Sequence, residues 1–278
     1  MLDTIVKRRV ATLASAALML AGCAATPPSG TPTAASDPVR IERSDKTSNI
    51  PRDVVRIAID NPWGEINIRS RDEREVGIHA VIQELPPRFA SAQFRSHREG
   101  TTLRIDVSMD GAVPGAQPSQ GRVDIAVYVP GDLALSLVTR DGRISAKRRR
   151  AAVEATSQSG ELLISSRDRI DLHSGSGQIR AVAFGTDWVG RSEVSTDSGR
   201  IVLMVPTFGN IALDASTGGR LMNDFGLSVT AGPGGGSRAA ARYGRGTSSL
   251  AARSRTGEIV LEQLVLMGED KGDQDDDD

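Results

Sequence analysis

The chain has one cysteine, nine aromatic side chains and three histidines in 278 residues. A single cysteine excludes an internal disulfide, so no covalent staple holds the fold. Nine scattered aromatics argue against a continuous platform for stacking bases or sugars. The histidines, His79, His97 and His173, lie on separate stretches without ligand spacing, which leaves no metal site to propose. Cofactor motifs are missing too: the glycines of residues 231–237 have neither the Lys-Ser/Thr pair nor the strand-then-helix context of a phosphate loop. No serine stands in a recognisable nucleophile motif. The longest apolar run, residues 10–20, is too short to span a bilayer. Charge has little excess of either sign, with 30 basic against 27 acidic side chains once the first 22 and last ten residues are set aside. That balance disfavours nucleic acid as a partner.

What is present begins at the amino terminus. Lys7, Arg8 and Arg9 precede the apolar run, which ends in Leu20-Ala21-Gly22-Cys23, so residues 1–22 read as a targeting segment. Its end resembles the lipobox of bacterial lipoproteins, where the cysteine thiol is alkylated by a diacylglyceryl group and becomes the first residue. The resemblance implies lipidation of Cys23 and attachment to the membrane; an ordinary signal peptide with an incidental cysteine is the alternative. Acyl chains at about 0.8 kcal/mol per buried methylene hold a protein firmly on a bilayer. Ala24 stands where an aspartate would retain a Gram-negative lipoprotein at the inner membrane, so the resemblance implies the outer membrane. Residues 23–50 read as anchor and tether, the part from 24 to 38 being rich in Ala, Thr, Pro and Ser. Residues 269–278 carry seven acids and one lysine and read as a solvated, disordered tail. Calcium or a basic partner is the alternative there, although the glycine turn and spaced ligands of a calcium loop are missing.

The most informative feature is an internal repeat. Six copies align on a glycine: Thr139-Arg-Asp-Gly142-Arg-Ile144, Ser157-Gln-Ser-Gly160-Glu-Leu162, Ser174-Gly-Ser-Gly177-Gln-Ile179, Thr196-Asp-Ser-Gly199-Arg-Ile201, Ser216-Thr-Gly-Gly219-Arg-Leu221 and Ser254-Arg-Thr-Gly257-Glu-Ile259. The glycine intervals are 18, 17, 22, 20 and 38, the last about two periods. Seven and five residues before the glycine the positions are mostly apolar, and two after it stands Ile or Leu. Alternation with period two turns these inward. Ser or Thr stands three before, and the residue directly after (Arg143, Glu161, Gln178, Arg200, Arg220, Glu258) faces outward. The glycine is expected to supply backbone freedom for a tight corner between two strands, with Ser, Thr and Asp bonding locally around it. One such unit cannot bury its apolar side alone, so units must stack at about 4.8 Å per layer.

The expected fold is therefore all-β, a right-handed parallel β-helix or β-solenoid-like stack of coils over residues 132–268. A β-sandwich of regular hairpins is the alternative. The lost corner between Gly219 and Gly257 is expected at residues 231–237, as one irregular coil. Residues 51–131 read as an N-terminal β cap, with strands at 54–59, 65–68, 76–82, 102–107 and 123–129 and a short helix near 88–97 carrying Phe89 and Phe94. Asn61-Pro-Trp-Gly64-Glu-Ile66 looks like a degenerate first corner.

Together Val123-Asp-Ile-Ala-Val-Tyr-Val-Pro130, the repeated corners, and the pattern from Leu227-Ser-Val-Thr to Gly257-Glu-Ile resemble a family of bacterial envelope proteins described as candidate adhesins, over roughly residues 54–266. The resemblance implies a β-strand-repeat fold and an extracytoplasmic location, and no functional residue carries over. The sharpest charge cluster, Lys147-Arg148-Arg149-Arg150, reads either as a solvated connection or, with Arg143, Arg200 and Arg220, as a contact for an anionic envelope polymer such as lipopolysaccharide or an acidic polysaccharide. The expectation is a non-enzymatic surface for adhesion or scaffolding. A β-helical polysaccharide lyase or hydrolase using Asp141, Asp171, Glu193 and Asp197 is the runner-up, and a protein-binding subunit in envelope stress sensing is the third reading. Replacing Cys23 by Ser is expected to release the chain from membranes, read by fractionation; a variant still membrane-bound would remove the lipid anchor.

Overall fold

The computed structural model describes residues 39–84, 92–110 and 121–264. Cys23, the targeting segment, the tether up to residue 38 and the acidic run 269–278 lie outside these residues. Alternating polarity translates directly into strands, and no α-helix occurs among the described residues; a three-residue 3-10 turn, Pro233–Gly235, is the nearest to one. The front of the chain forms β1 (Arg40–Asn49), β2 (Arg56–Asn61), β3 (Ile66–Arg71), β4 (Glu75–Glu84), β5 (Ala92–Glu99), β6 (Thr102–Met109) and β7 (Gly121–Pro130). The first four repeats give the pairs β8 (Ala134–Thr139) with β9 (Ile144–Arg149), β10 (Val153–Ser157) with β11 (Leu162–Ser166), β12 (Ile170–Ser174) with β13 (Ile179–Ala183), and β14 (Arg191–Thr196) with β15 (Ile201–Val205). Then follow β16 (Ile211–Thr217), β17 (Leu221–Asn223), β18 (Thr230–Ala231), β19 (Ser237–Arg242), β20 (Ser248–Ser254) and β21 (Ile259–Gln263).

These strands make two large sheets. The first runs β1-β4-β7-β3-β9-β11-β13-β15-β21-β17 and the second β18-β19-β16-β20-β14-β12-β10-β8-β2-β6-β5. Each repeat gives its strand before the glycine to the second sheet and its strand after the glycine to the first, and neighbouring repeats pair in parallel. The predicted Ile/Leu column is an unbroken ladder in the first sheet: Ile66, Ile144, Leu162, Ile179, Ile201, Ile259 and Leu221, all buried. The second sheet carries a buried ladder of its own, Ile57, Leu135, Val153 and Ile170. The degenerate corner at Asn61 also belongs here, since β2 pairs with β8 and β3 with β9. Residues of the front segment thus share both sheets with the repeats.

The corner chemistry differs from the expectation. None of the six aligned glycines has a positive φ. They are required by close approach: a Cβ on Gly142, Gly160, Gly177, Gly199 or Gly257 would collide with the backbone carbonyl oxygen of Gly64, Gly142, Gly160, Gly177 or Gly199 respectively. The hydroxyl three residues earlier fixes the turn. Ser157, Ser174, Thr196 and Ser254 accept from the N–H of Gly160, Gly177, Gly199 and Gly257 at 2.8–3.0 Å. Several of these hydroxyls also donate to the neighbouring layer, as Ser174 does to Gly160 O at 3.3 Å. Asn61 fills the same slot in the first corner, its Nδ2 donating to Val123 O at 2.8 Å.

Four further expectations change. Residues 40–49, assigned to the tether, form β1 on the edge of the first sheet, antiparallel to β4. The helix near 88–97 is absent where described: residues 92–99 are β5, paired with β6, while 85–91 lie outside the described residues. The glycines of 231–237 turn β18 back onto β19, a hairpin laid antiparallel on β16. Most importantly, the last repeat does not stack last. β20 and β21 insert between β14–β15 and β16–β17, so the layer order at this end is Gly199, Gly257, Gly219. The Gly219 copy is also one residue shorter at its corner: Thr217, not Ser216, aligns with Ser254 and accepts from Gly219 N at 2.9 Å. Ile211, Leu213 and Ala215 are accordingly the inward residues, and Ala212 and Asp214 are only half-buried.

The antiparallel strands lie at both ends of the parallel stack. β1 and β5 carry exposed charges, among them Arg43, Lys46, Arg95 and Arg98, which disfavour edge-to-edge pairing. If the glycine column governs the stack, Gly160→Ala should lower unfolding stability by about 1–3 kcal/mol, the usual range for overpacking a tight interior. Ser174→Ala, which strands a buried glycine N–H, should cost about 1–3 kcal/mol. Urea denaturation of the purified full chain reads both.

Candidate functional site

The basic run 147–150 is divided by a bulge. Between Ala146, which pairs with Ile164, and Arg149, which pairs with Ser166, β9 has one residue more than β11. Arg148 takes up the extra length with φ of 55°, the one positive value at a non-glycine among the described residues. Its N–H donates to Ser165 Oγ at 2.8 Å. A bulge of this kind re-aims side chains: Lys147 and Arg148 both become exposed on the outer face of the first sheet, and Arg149 turns inward.

Arg149 is fully buried. Its guanidinium donates to Ser70 Oγ at 3.0 Å, to Pro130 O at 2.6 Å and to Leu133 O at 3.0 Å, which stitches the end of β7 and the turn before β8 to β9. Its Nε has no partner among the described residues. Burial pushes this guanidinium down to about 10, Asp132 opposing and Arg150 adding to the shift, so it stays protonated at neutral pH. A polyanion cannot reach it. Arg150 points to a different cleft, with Arg167 and Phe184.

Lys147, Arg148 and Arg143 do meet, in a groove of about 500 Å³ over β3, β9 and β11, and Arg69 of β3 joins them. Arg69, Lys147 and Arg148 have no ion pair among the described residues. Arg143 is paired with Glu161 at 2.9 Å, and the groove's acid, Glu65, with Arg122 at 3.0 Å. The predicted arginine row is thereby an alternating ladder: Arg200 pairs with Glu258 at 2.9 Å across adjacent layers. Arg220 is exposed next to Glu258's layer and lies outside the groove. Arg69 escaped the sequence reading, although the degenerate Asn61 corner, which places β3 beside β9, was the signal that could have found it.

The carboxylates of the enzyme reading are dispersed and engaged. Asp171 and Glu193 are register neighbours on the second sheet, with Asp171 bound to Arg169 at 2.9 Å and Glu193 to Arg191 at 3.4 Å. Asp141 accepts from Ser159 Oγ at 2.6 Å. Asp197 is exposed at its corner. His79 bonds Asp45 at 2.5 Å, His97 bonds Glu99 at 3.0 Å and His173 lies 3.2 Å from Ser195 Oγ. No group of three metal-ligating side chains forms among the described residues, and none of their helices is long and apolar enough to cross a membrane.

Because Arg149 ties three backbone or hydroxyl acceptors together, Arg149→Gln should cost about 2–4 kcal/mol of stability, in line with charge-assisted hydrogen bonds. Arg150→Gln should stay within about 0.5 kcal/mol, as surface changes do. Chemical denaturation of the two variants side by side separates the buried role from the exposed one.

No protein-family model matches the chain, and no curated protein matches it. Among solved structures it is similar to a candidate cell adhesion protein from Clostridium sporogenes ATCC 15579, at 12% identity and a TM-score of 0.46 over 81% of this chain and 100% of that one. It is similar to a candidate adhesin from Bacteroides fragilis NCTC 9343, at 11% identity and a TM-score of 0.34 over 82% and 98% of the two chains. A candidate adhesin from Parabacteroides merdae ATCC 43184 follows at 11% identity and a TM-score of 0.28, over 80% and 96%. Scores below 0.5 leave the architecture to be read from this chain's own strand pairing.

Proposed function

We propose that this chain is a non-enzymatic lipoprotein of the cell envelope, anchored through Cys23 at the outer membrane. In this reading its stack, wound as a right-handed β-solenoid, presents the groove of Arg69, Lys147 and Arg148 to an anionic envelope polymer for adhesion or scaffolding. The observation that carries the reading is the bulge at Arg148. It places two adjacent cations on one face, beside a third, where an ordinary strand would alternate them. Three cations without an ion pair among the described residues, over a hydrogen-bonded sheet, form a preorganised donor set for phosphate or carboxylate groups spaced along a chain. Arg143 contributes less, because Glu161 already neutralises it.

Lys147→Gln combined with Arg148→Gln should weaken binding to immobilised lipopolysaccharide or polyuronate roughly five- to thirtyfold, two exposed ion contacts being worth about 0.5–1 kcal/mol each. It should also flatten the salt dependence of that binding. Comparing the two polymers tells phosphate from carboxylate recognition. Affinity unchanged for both would sink the proposal, and shortened polymer products would overturn the non-enzymatic reading.

A further inference from the structure

A second site lies at the edge of the stack away from the corner glycines, where strands of the first sheet return to the second. The return is three residues long after β9 (150–152) and after β11 (167–169), but seven after β13 (184–190) and five after β15 (206–210). The repeat departs from its period here, and the added residues include three of the chain's nine aromatics or stand beside them: Phe184, Trp188 and Phe208. They line a cleft of about 760 Å³ together with Arg150, Arg167 and Asp168, a size typical of small-molecule sites.

The two long returns are pinned in place. Trp188 is buried, and its Nε1 donates to Ser249 O at 3.4 Å. The buried Ser248 hydroxyl reaches Thr186 O at 3.1 Å and Trp188 O at 2.9 Å. Gly185 lies so close on the Arg167 carbonyl that a Cβ would collide with it, and a side chain on Gly209, at φ of 90°, would run into Thr186. The exposure of what these returns carry is therefore built in. Val189 is 91% exposed and Phe208 50%. Phe184 holds the Arg167 guanidinium 5.7 Å from its ring centroid, which orients a planar donor fork at the cleft. Neither Arg150 nor Arg167 has an ion pair among the described residues, whereas Arg169 is committed to Asp171 at 2.9 Å.

We propose that this cleft binds an acidic oligosaccharide, with the apolar face of a pyranose ring on Phe208 and its carboxylate on the guanidinium groups of Arg167 and Arg150. The half-exposed ring and Val189 offer an apolar surface, the free guanidiniums match a carboxylate bidentately, and Asp168 and Asp187 supply acceptors for ring hydroxyls. The site is separate from the groove over β3 and β9 and shares no residue with it.

The test is calorimetric titration of the full chain in detergent micelles with tetragalacturonate, a hyaluronan tetrasaccharide and sialyllactose, with maltotetraose as neutral control. Saturable binding of at least one acidic sugar is expected, at least tenfold tighter than maltotetraose. Phe208→Ala and Arg167→Gln should each weaken it tenfold or more, and the doubly substituted Lys147→Gln, Arg148→Gln chain should bind as before, so this site and the groove fail or survive separately. With Trp63→Phe as background, Trp188 is the remaining tryptophan and its emission should shift on binding. No heat with any acidic sugar, equal binding of maltotetraose, or binding indifferent to both cleft variants would overturn the assignment.

Discussion

Everything in this stack depends on one contact repeated at each corner, the backbone of one layer resting directly on a glycine of the next. A hydroxyl three residues before the glycine captures its N–H, which turns the chain without a left-handed residue and closes the hydrogen-bonding account of a buried turn. With the turn fixed, the carbonyl after each glycine meets the strand of the adjacent layer, as Glu161 O meets Ile144 N and Gln178 O meets Leu162 N, both at 2.9 Å. Register follows, and with it the aliphatic ladders on either side. Since a one-residue slip would turn every inward side chain to solvent, the corner column does the work that disulfides do in chains with more cysteine.

A fold pinned along one edge leaves its other edge free to vary. On the corner side, layers are held within van der Waals distance by the glycines, and nothing larger fits. On the return side, the connections range from three to seven residues, and there the bulge at Arg148, the buried Arg149 and the aromatic cleft are all found. Function concentrated on irregular connections over a regular scaffold is the usual division of labour. Three other arginines on the flat faces behave differently. Arg143, Arg200 and Arg238 each find a carboxylate, at 2.9, 2.9 and 3.0 Å, and so contribute to layer pairing rather than to a field that a polyanion would sense.

Much of this was legible in the residues. The corner glycines, the hydroxyl three before and the Ile or Leu two after could be aligned because each answers to a steric or hydrogen-bonding demand that tolerates few residue types. Layer order was not legible, since an interval of 38 between glycines fits an irregular coil as well as a layer inserted out of turn. The slip between Ser216 and Thr217 was hidden because both carry hydroxyls, and only the buried Ile211, Leu213 and Ala215 tell them apart. β1 escaped because its segment has almost no apolar alternation and borrows its pairing from β4. Four consecutive cations read as solvent-facing, and the inward turn of Arg149 depends on a bulge whose hydrogen-bond partner, the Ser165 hydroxyl, lies on another strand. The groove was thus half visible: Arg143, Lys147 and Arg148 from charge, Arg69 from strand pairing alone.

The corner column makes one claim that simple sequential stacking would not, that β20 lies between β14 and β16. Ser195 is register partner to Arg253, and Arg253 to Ser216. Adjacent strands at about 4.8 Å bring Cα atoms within the 4.4–6.8 Å range of a disulfide, whereas strands two apart do not meet it. The measurement is oxidative cross-linking in a Cys23→Ser background, comparing Ser195→Cys with Arg253→Cys against Ser195→Cys with Ser216→Cys. Rapid disulfide formation in the first pair and none in the second is the predicted result; the reverse would mean that the repeats stack in chain order and that the glycine column does not run from Gly199 to Gly257 to Gly219 at its far end.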